Sequence, residues 1–173
     1  MSMYQTLSKI GTKLFSQSAL FKYGFNYSPM YKRSTGRIYF VSEDLMTIKV
    51  KIPISWKNRN YANSIFGGSM FSAVDPIYMV QLLNILGEDY VVWDKSANVQ
   101  FKRPAKEDLY TEFIFSPDEI SDFKERVKLE NEFTFTKVSE LKNKEGKVFC
   151  TIEKEIYVSS KSFYKKKLKQ RKS

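Results

Sequence analysis

The chain has 173 residues, enough for one domain with a substantial core, and its 29 basic and 19 acidic side chains leave a net charge of +10. It contains no histidine. This absence excludes Ser-His-Asp and Cys-His nucleophile systems and His-liganded metal sites, so acid–base chemistry would fall to Asp, Glu, Lys or Tyr.

Cysteine content and hydropathy indicate a cytoplasmic protein. The single cysteine, Cys150, cannot form an internal disulfide, which suggests a reducing compartment. Asp75 and Gln81 interrupt the longest apolar run, so we expect no membrane span, and the N-terminus lacks a signal-peptide pattern.

Seven of the ten net positive charges lie in residues 161–173, so residues 1–160 are not basic enough to predict a nucleic-acid partner.

The first 35 residues predict an N-terminal helical extension. Residues 3–24 show a loose helical periodicity that Gly11 and Gly24 interrupt, and Ser28 followed by Pro29 is a typical helix start. We therefore expect two or three short helices that pack over a sheet. A lid over a substrate channel is the alternative.

Residues 37–42 and 45–54 predict a β-hairpin. In its second strand apolar residues alternate strictly with polar ones, as is typical of a half-buried strand: Met46, Ile48, Val50, Ile52 and Ile54. Pro53 cannot donate to a ladder, so we expect it at the strand end or on a free edge.

The longest apolar run, residues 60–86, contains the pair Gly67-Gly68 and one carboxylate, Asp75. Pro76 leaves two alternatives. Either a helix starts there with Asp75 as its N-cap, or a longer helix starts near Gly68 and is kinked where Pro76 removes the bond to the Ser72 carbonyl. A helical period of apolar residues continues through Asp75 and favours the kinked helix: Met70, Phe71, Val74, Ile77 and Tyr78.

The remaining pattern is rich in strands. It predicts strands at 91–103, 109–115, 127–139 and 147–158, and a short helix at 117–125. One face of the last strand is apolar: Val148, Cys150, Ile152, Ile156 and Val158. An antiparallel sheet wrapped around one long helix fits this order, so we expect an α+β domain over residues 36–160.

Residues 161–173 carry seven basic side chains and no acidic one. Like charges repel, and few apolar groups are present to offset the entropy of ordering, so we expect a mobile, solvated basic tail. Contact with nucleic acid or anionic lipid is the alternative.

This order of elements resembles the hotdog fold, and residues 60–75 resemble the motif of PaaI-type acyl-CoA thioesterases. That motif is N-x-x-G-x-x-H-G-G, followed by an Asp seven residues after the second Gly. Asn60, Gly67, Gly68 and Asp75 match it, whereas Asn63 stands where the family often has Gly and Phe66 where it has His. The strings WDK at 93–95 and FKRPA at 101–105 also resemble the DUF4442 branch, a little-characterised group of thioesterase-like hotdog proteins. The resemblance covers about residues 35–158.

The resemblance implies hydrolysis of an acyl thioester, with coenzyme A as part of the substrate and no other cofactor or metal. Asp75 would be the base or nucleophile, acting across a subunit interface, and we expect it to be desolvated with a raised pKa. The Gly67 and Gly68 amides, at a helix N-terminus, would polarise the carbonyl. Asn60 would orient the water or the carbonyl, and Asp94 would help to position the water.

Each of these residues also has a structural alternative. Asp75 could be a helix cap or a buried structural acid, and Asn60 an ordinary turn residue. The two glycines could serve close packing alone, and Asp94 could pair with Lys95 or with a cation of another chain.

Substrate contacts can be assigned in the same way. We expect an apolar pocket for the acyl chain, lined by Phe66, Phe71, Val74 and Trp93. We expect Lys102 and Arg103 to bind the phosphates of coenzyme A. The alternative for these two cations is that they lie at a solvated strand end and bind nothing. We also expect a homodimer or a dimer of dimers. Because Phe66 replaces the family's His, a non-catalytic protein that binds acyl or lipid-like ligands is the alternative function.

Overall fold

Residues 16–170 are described in the structure, a computed structural model with six strands and six helices. The strands are β1 (Arg37–Val41), β2 (Thr47–Ile52), β3 (Tyr90–Phe101), β4 (Leu109–Ile114), β5 (Glu132–Lys142) and β6 (Val148–Ser160). The helices are α1 (Gln17–Tyr27), α2 (Pro29–Ser34), α3 (Gly67–Val74), α4 (Ile77–Leu86), α5 (Pro117–Glu130) and α6 (Lys161–Gln170). The expectations for residues 3–15 and 171–173 lie outside the described residues.

The strands form one antiparallel sheet in the order β1-β2-β4-β5-β6-β3. β6 pairs with β5 on one side and with β3 on the other along almost its whole length. The predicted hairpin of β1 and β2 is present, and Pro53 directly follows β2, as expected. The core lies between this sheet and the central helix, where Val74, Ile77 and Leu82 are fully buried.

The two edges of the sheet differ. Along β1, the Asn26 side chain of α1 donates to the Ile38 carbonyl at 2.8 Å and accepts from the Ile38 amide at 2.9 Å, so it occupies the free backbone groups of that edge. Along the outer edge of β3, which is 12 residues long, no strand among residues 16–170 pairs with the backbone. A long unpaired edge is a template for another strand.

The central helix is long and kinked, as the apolar period predicted. Asp75 and Pro76, between α3 and α4, keep helical backbone angles, and the Asp75 amide still donates to the Phe71 carbonyl at 2.8 Å. By length and composition alone, Gly67–Leu86 would suffice to cross a membrane, but more than half of this stretch is buried against the sheet. It is therefore the core helix of the domain and no indication of a membrane span.

The N-terminal helices pack against the domain. Ser16 caps α1 by accepting from the Ala19 amide, and α1 continues through Gly24, which does not interrupt it. Ser28 and Pro29 begin α2, as predicted, although the Ser28 side chain makes no capping bond. From α2, the buried Tyr31 hydroxyl donates to the Ala73 carbonyl at 3.0 Å, which connects the extension to the central helix. This contact fits the predicted packing role.

Helix α5 ends five residues later than predicted. Its start is as expected, with a capping box in which Ser116 accepts from the Glu119 amide and Glu119 accepts from the Ser116 amide. The helical period of buried residues continues through Phe123 to Val127, and Asn131, at φ 68°, ends the helix. Strand β5 therefore begins at Glu132 and not at residue 127.

The expectation of a mobile tail is not met for residues 161–170, which form α6. The Tyr164 ring packs edge-on against Trp93, with 5.6 Å between centroids, and lies 6.3 Å from the Tyr157 ring. Lys167 pairs with Glu132 of β5 at 2.5 Å. These ring contacts and the ion pair place the helix against the outer face of the sheet.

Candidate active site

The N-terminus of α3 presents two free amides. Gly67 and Gly68 are its first two residues, and the N-cap residue, Phe66, provides no side-chain cap. The first N–H groups of a helix have no acceptor within the helix. Within residues 16–170 no other group accepts from these two amides, so both remain free to donate.

Close packing also requires these glycines. A Cβ atom on Gly67 would lie 2.7 Å from Cζ of Phe101, and one on Gly68 would overlap the Phe66 ring. Both rings are more than half exposed, at 57% for Phe66 and 56% for Phe101. The helix N-terminus is therefore flanked by two exposed aromatic rings next to the free edge of β3, and the two roles predicted for the glycine pair are compatible.

Asp75 lies at the kink of the central helix, two turns beyond the glycines. Its side chain is 46% exposed, so the expected desolvation is not found in the single chain. Its Oδ1 accepts from Lys154 Nζ at 2.9 Å, and its backbone carbonyl accepts from the same ammonium group. Asp75 lies seven residues after Gly68, which is about 10 Å along the helix axis. Within one chain, Asp75 and the glycine amides are therefore too far apart to contact the same substrate atom.

Lys154 is the site residue that sequence reasoning missed. Its side chain is only 1% exposed, and its ammonium also donates to Asp94 Oδ2 at 2.5 Å. With the two Asp75 oxygens, this gives one acceptor for each of its three N–H bonds. The available signal was the interruption of the apolar face of β6, where Lys154 takes a core position between Ile152 and Ile156.

Asp94 binds the same ammonium group as Asp75, which was not one of the partners expected for it. Lys95, the alternative partner, pairs with Glu155 at 3.0 Å. Burial raises the pKa of the Asp94 carboxyl above its usual value, the Lys154 ammonium partly offsets this rise, and the Asp75 charge adds to it. Asp94 Oδ1 is buried without a hydrogen-bond partner among the described residues.

Asn60 forms a turn, which was the structural alternative to its expected role in orienting the water or the carbonyl. Its Oδ1 accepts from the amide and the hydroxyl of Ser64, each at 3.1 Å, and closes a turn in which Asn63 has a φ of 62°. The loop is anchored instead by the buried Asn58. Its side chain donates to Thr35 Oγ1 at 2.7 Å and to the Pro53 carbonyl at 2.9 Å, and its own carbonyl accepts from the Phe66 amide.

Two residues predicted to line the substrate pocket lie elsewhere. Trp93 points to the outer face of the sheet, where it contacts Tyr164, because its neighbour Asp94 takes the inner face. Val74 is fully buried in the core. Phe71, half-buried at the core boundary, and the exposed Phe66 remain near the glycine end of the helix.

Lys102 and Arg103 directly follow Phe101 and are exposed, so they lie close to the free amides. Their backbone amides donate to the Phe149 carbonyl, and the Arg103 guanidinium stacks 5.9 Å from the Phe149 ring. Both cations are therefore held at the end of β3, and neither forms a salt bridge with a described residue.

An enclosed acyl pocket is not found at these residues. A depression of about 240 Å³ lies between α1 and β1, and one of about 440 Å³ lies beside Lys128, Asn131 and Lys161. Neither is lined by a predicted site residue. The described residues also include no group of three His, Cys, Asp or Glu side chains placed to hold a metal ion.

Comparison with known sequences gives one match. Residues 11–158 match the profile of the family described as "Domain of unknown function (DUF4442)". None of the curated proteins matches the chain.

Known structures share the fold. PA5026 from Pseudomonas aeruginosa, a protein of unknown function described as a probable thioesterase, has a TM-score of 0.73 at 16% identity over 82% of this chain and 95% of its own. The thioesterase HI1161 from Haemophilus influenzae has a TM-score of 0.51 at 15% identity over 92% of both chains. A mutant of the thioesterase PA1618 from Pseudomonas aeruginosa has a TM-score of 0.58 at 9% identity over 80% of this chain and 91% of its own. The α+β hotdog fold is confirmed.

Proposed function

The chain belongs to the DUF4442 family, and on this premise we propose that it hydrolyses acyl thioesters. The observation that carries the proposal is the pair of free amides at Gly67 and Gly68, combined with a half-exposed carboxylate on the same helix. Donors that are free before the substrate arrives need no reorganisation to stabilise an oxyanion, and the loss of one such donor typically costs about 3–4 kcal/mol of transition-state stabilisation. The thioesterases among the structural neighbours support the same reaction class.

In the proposed reaction, Asp75 accepts a proton from a water molecule as the water oxygen adds to the thioester carbonyl carbon. The negative charge on the carbonyl oxygen is stabilised by the glycine amides. When the intermediate collapses, the C–S bond breaks and the departing thiolate takes the proton held by Asp75, so the products are a carboxylic acid and a thiol and the Asp75 carboxylate is restored.

We propose that two copies of the chain build each site. The amides and Asp75 of one chain are about 10 Å apart along the helix axis, which is too far for both to reach one water and one carbonyl. The unpaired edge of β3 provides a symmetric solution, because Asp94 lies in the first half of this strand and Phe101, whose ring lies beside Gly67, is its last residue. Antiparallel pairing of two β3 edges about a twofold axis would place the carboxylate end of one chain beside the glycine end of the second.

This assembly would also cover exposed apolar groups. The Phe66 and Phe101 rings, more than half exposed in one chain, would form one wall of an acyl pocket between the copies. Lys102 and Arg103 at the same end would bind the phosphates of coenzyme A, for which paired cations are suited. Sedimentation equilibrium at micromolar concentration should give at least a dimer, and a purely monomeric protein would contradict the shared site.

A second candidate, a non-catalytic protein that binds acyl ligands, is favoured by one observation. The Phe66 ring lies against Gly68, in the position where the related thioesterases have His. In that position it provides apolar contact and no hydrogen bond.

Thiol release from acyl-CoAs of increasing chain length separates the two functions. If the chain is a hydrolase, Asp75→Asn should reduce kcat by at least about 100-fold, the usual contribution of a general base. Asp122→Asn, an exposed carboxylate on α5, is the matched control and should retain the wild-type rate. Inactivity on every acyl-CoA, together with calorimetric binding that Asp75→Asn leaves intact, would favour the binder, and Phe66→His would then test whether the ring had removed the activity.

A further inference from the structure

Three charged side chains from three elements meet beneath the kink of the central helix. We propose that Lys154 is a positioning residue that fixes the Asp75 carboxylate, and that Asp94 balances the Lys154 charge so that Asp75 remains a base. The role assigned to Asp75 rests on the proposed function, whereas the arrangement of the three charges does not.

The contacts of Lys154 restrict both Asp75 and the helix that carries it. The Nζ donates to the backbone carbonyl of Asp75 and to its Oδ1, so it fixes the main chain and the side chain together. Asp75 Oδ2 is bonded to no described residue, and the side chain is 46% exposed. One carboxylate oxygen is therefore bound to Lys154, and the other has no bond to a described residue on this half-exposed side chain.

The position of Lys154 in the sheet explains why its side chain points to this cluster. It lies opposite Ala97 on β3 and opposite Lys137 on β5. The small Ala97 side chain leaves room on the β3 side. On the other side, Lys137 turns away to Glu119 of α5, at 2.5 Å. Each of the two facing lysines thus has its own carboxylate partners: Lys137 pairs with Glu119, and Lys154 pairs with Asp75 and Asp94.

Asp94 is needed for the charge balance. A cation bonded to Asp75 alone would stabilise the ionised carboxylate and make it a weaker base. The second carboxylate, bound to the same ammonium at 2.5 Å, opposes this effect and leaves the cluster of two acids and one base with a net charge of −1. Asp94 is itself shielded from solvent by this arrangement, with its side chain 21% exposed.

Few other titratable groups face the cluster. The Tyr31 hydroxyl of α2 donates to the Ala73 carbonyl and carries no charge at neutral pH. The pair of Lys137 and Glu119 is self-contained, as is the exposed pair of Lys95 and Glu155 at the bulge of β3. Lys154 and Asp94 are therefore the charged partners that the geometry assigns to Asp75.

The test compares two substitutions with opposite expected effects. Asp94→Asn leaves the ammonium to Asp75 alone, so the acid limb of the pH–rate profile should move to lower pH. Lys154→Met removes the cation and should move the same limb up. Both variants should lower kcat and leave KM nearly unchanged. Lys95→Met, which breaks the neighbouring exposed pair, is the matched control and should leave the limb in place.

A titration that needs no activity accompanies the kinetics. The Asp75 carboxyl carbon, observed by ¹³C NMR and assigned through its loss in Asp75→Asn, should titrate at lower pH in Asp94→Asn and at higher pH in Lys154→Met. Shifts in the same direction, or none, would overturn the proposal. If Lys154→Met does not fold, Asp94→Asn and Lys154→Arg decide the question. The proposal is supported if the titration midpoint of the Asp75 carboxyl moves to lower pH in Asp94→Asn and stays unchanged in Lys154→Arg. Any other result in these two variants contradicts it. If the two variants show these opposite NMR shifts but the wild-type protein releases no thiol, the proposed hydrolysis alone is refuted.

Discussion

Removing the positive charge of Lys154 should destabilise the protein in a pH-dependent way. Lys154→Met keeps most of the side-chain volume but leaves the partly buried Asp94 without its cation, at a site where the Lys154 side chain is 1% exposed. Removing one partner of a buried ion pair typically costs about 3–5 kcal/mol. We expect the lower end, about 3 kcal/mol at pH 7, because the half-exposed Asp75 can rehydrate.

The pH dependence has a definite sign. Burial already raises the pKa of Asp94 in the folded chain, and loss of the ammonium raises it further. An acid whose pKa is higher in the folded state binds its proton more tightly there, so the folded state loses stability as pH rises from the unfolded pKa, about 4, through the folded pKa. The stability deficit of Lys154→Met relative to wild type should therefore be full at pH 7–8 and decrease as the pH falls towards 4.

Urea denaturation at a fixed protein concentration measures this deficit. With an m-value of about 2 kcal/mol/M, a loss of 3 kcal/mol lowers the midpoint by about 1.5 M at pH 7. The double variant Lys154→Met/Asp94→Asn should recover much of the loss, and Lys49→Met, in an exposed cross-strand pair with Glu112, should change the midpoint little. A deficit that is equal at pH 4.5 and pH 7.5, or that the double variant does not reduce, would refute the electrostatic reasoning and indicate a packing defect.

Two further predictions concern elements outside the cluster. Tyr164→Ala should lower the melting temperature by about 3–6 °C, because it removes the ring contacts between α6 and Trp93. The control Lys166→Ala should leave the melting temperature unchanged. An unchanged melting temperature in Tyr164→Ala would mean that α6 is a free tail. Asn58→Ala should cost about 2 kcal/mol in chemical denaturation, because it leaves buried loop groups unpaired. Asn60→Ala should cost less, since it loses only the bonds to Ser64, and the reverse order would contradict the assignment of Asn58 as the anchor.

Much of the fold was predictable because its signals are local. The alternation in residues 46–54 predicted β2, and Ser116 with Glu119 predicted the start of α5. The apolar period through Asp75 predicted that the central helix would continue past Pro76. The end of α5 was misplaced because its stop signal is a single residue, Asn131 in a left-handed conformation, and the apolar residues before it fit a strand as well as a helix.

Within the site, the sequence by itself determined the residues of the central helix. The glycine pair and a carboxylate seven residues later stand on one helix, so their spacing follows from the helical rise alone. The availability of the Gly67 and Gly68 amides likewise follows from their place at a helix start, where N–H groups lack internal acceptors.

Only the tertiary structure decided what surrounds that helix. Lys154 lies 79 residues beyond Asp75 in the sequence, and its role depends on the pairing of β6 with β3. Strand alternation puts Trp93 and Asp94 on opposite faces, and the pairing of β3 with β6 decides that Asp94 faces the helix while Trp93 faces α6. The period of a strand cannot reveal which of its two faces will be buried. Local periodicity specifies which residues share a face, whereas the register between distant strands specifies which charges meet.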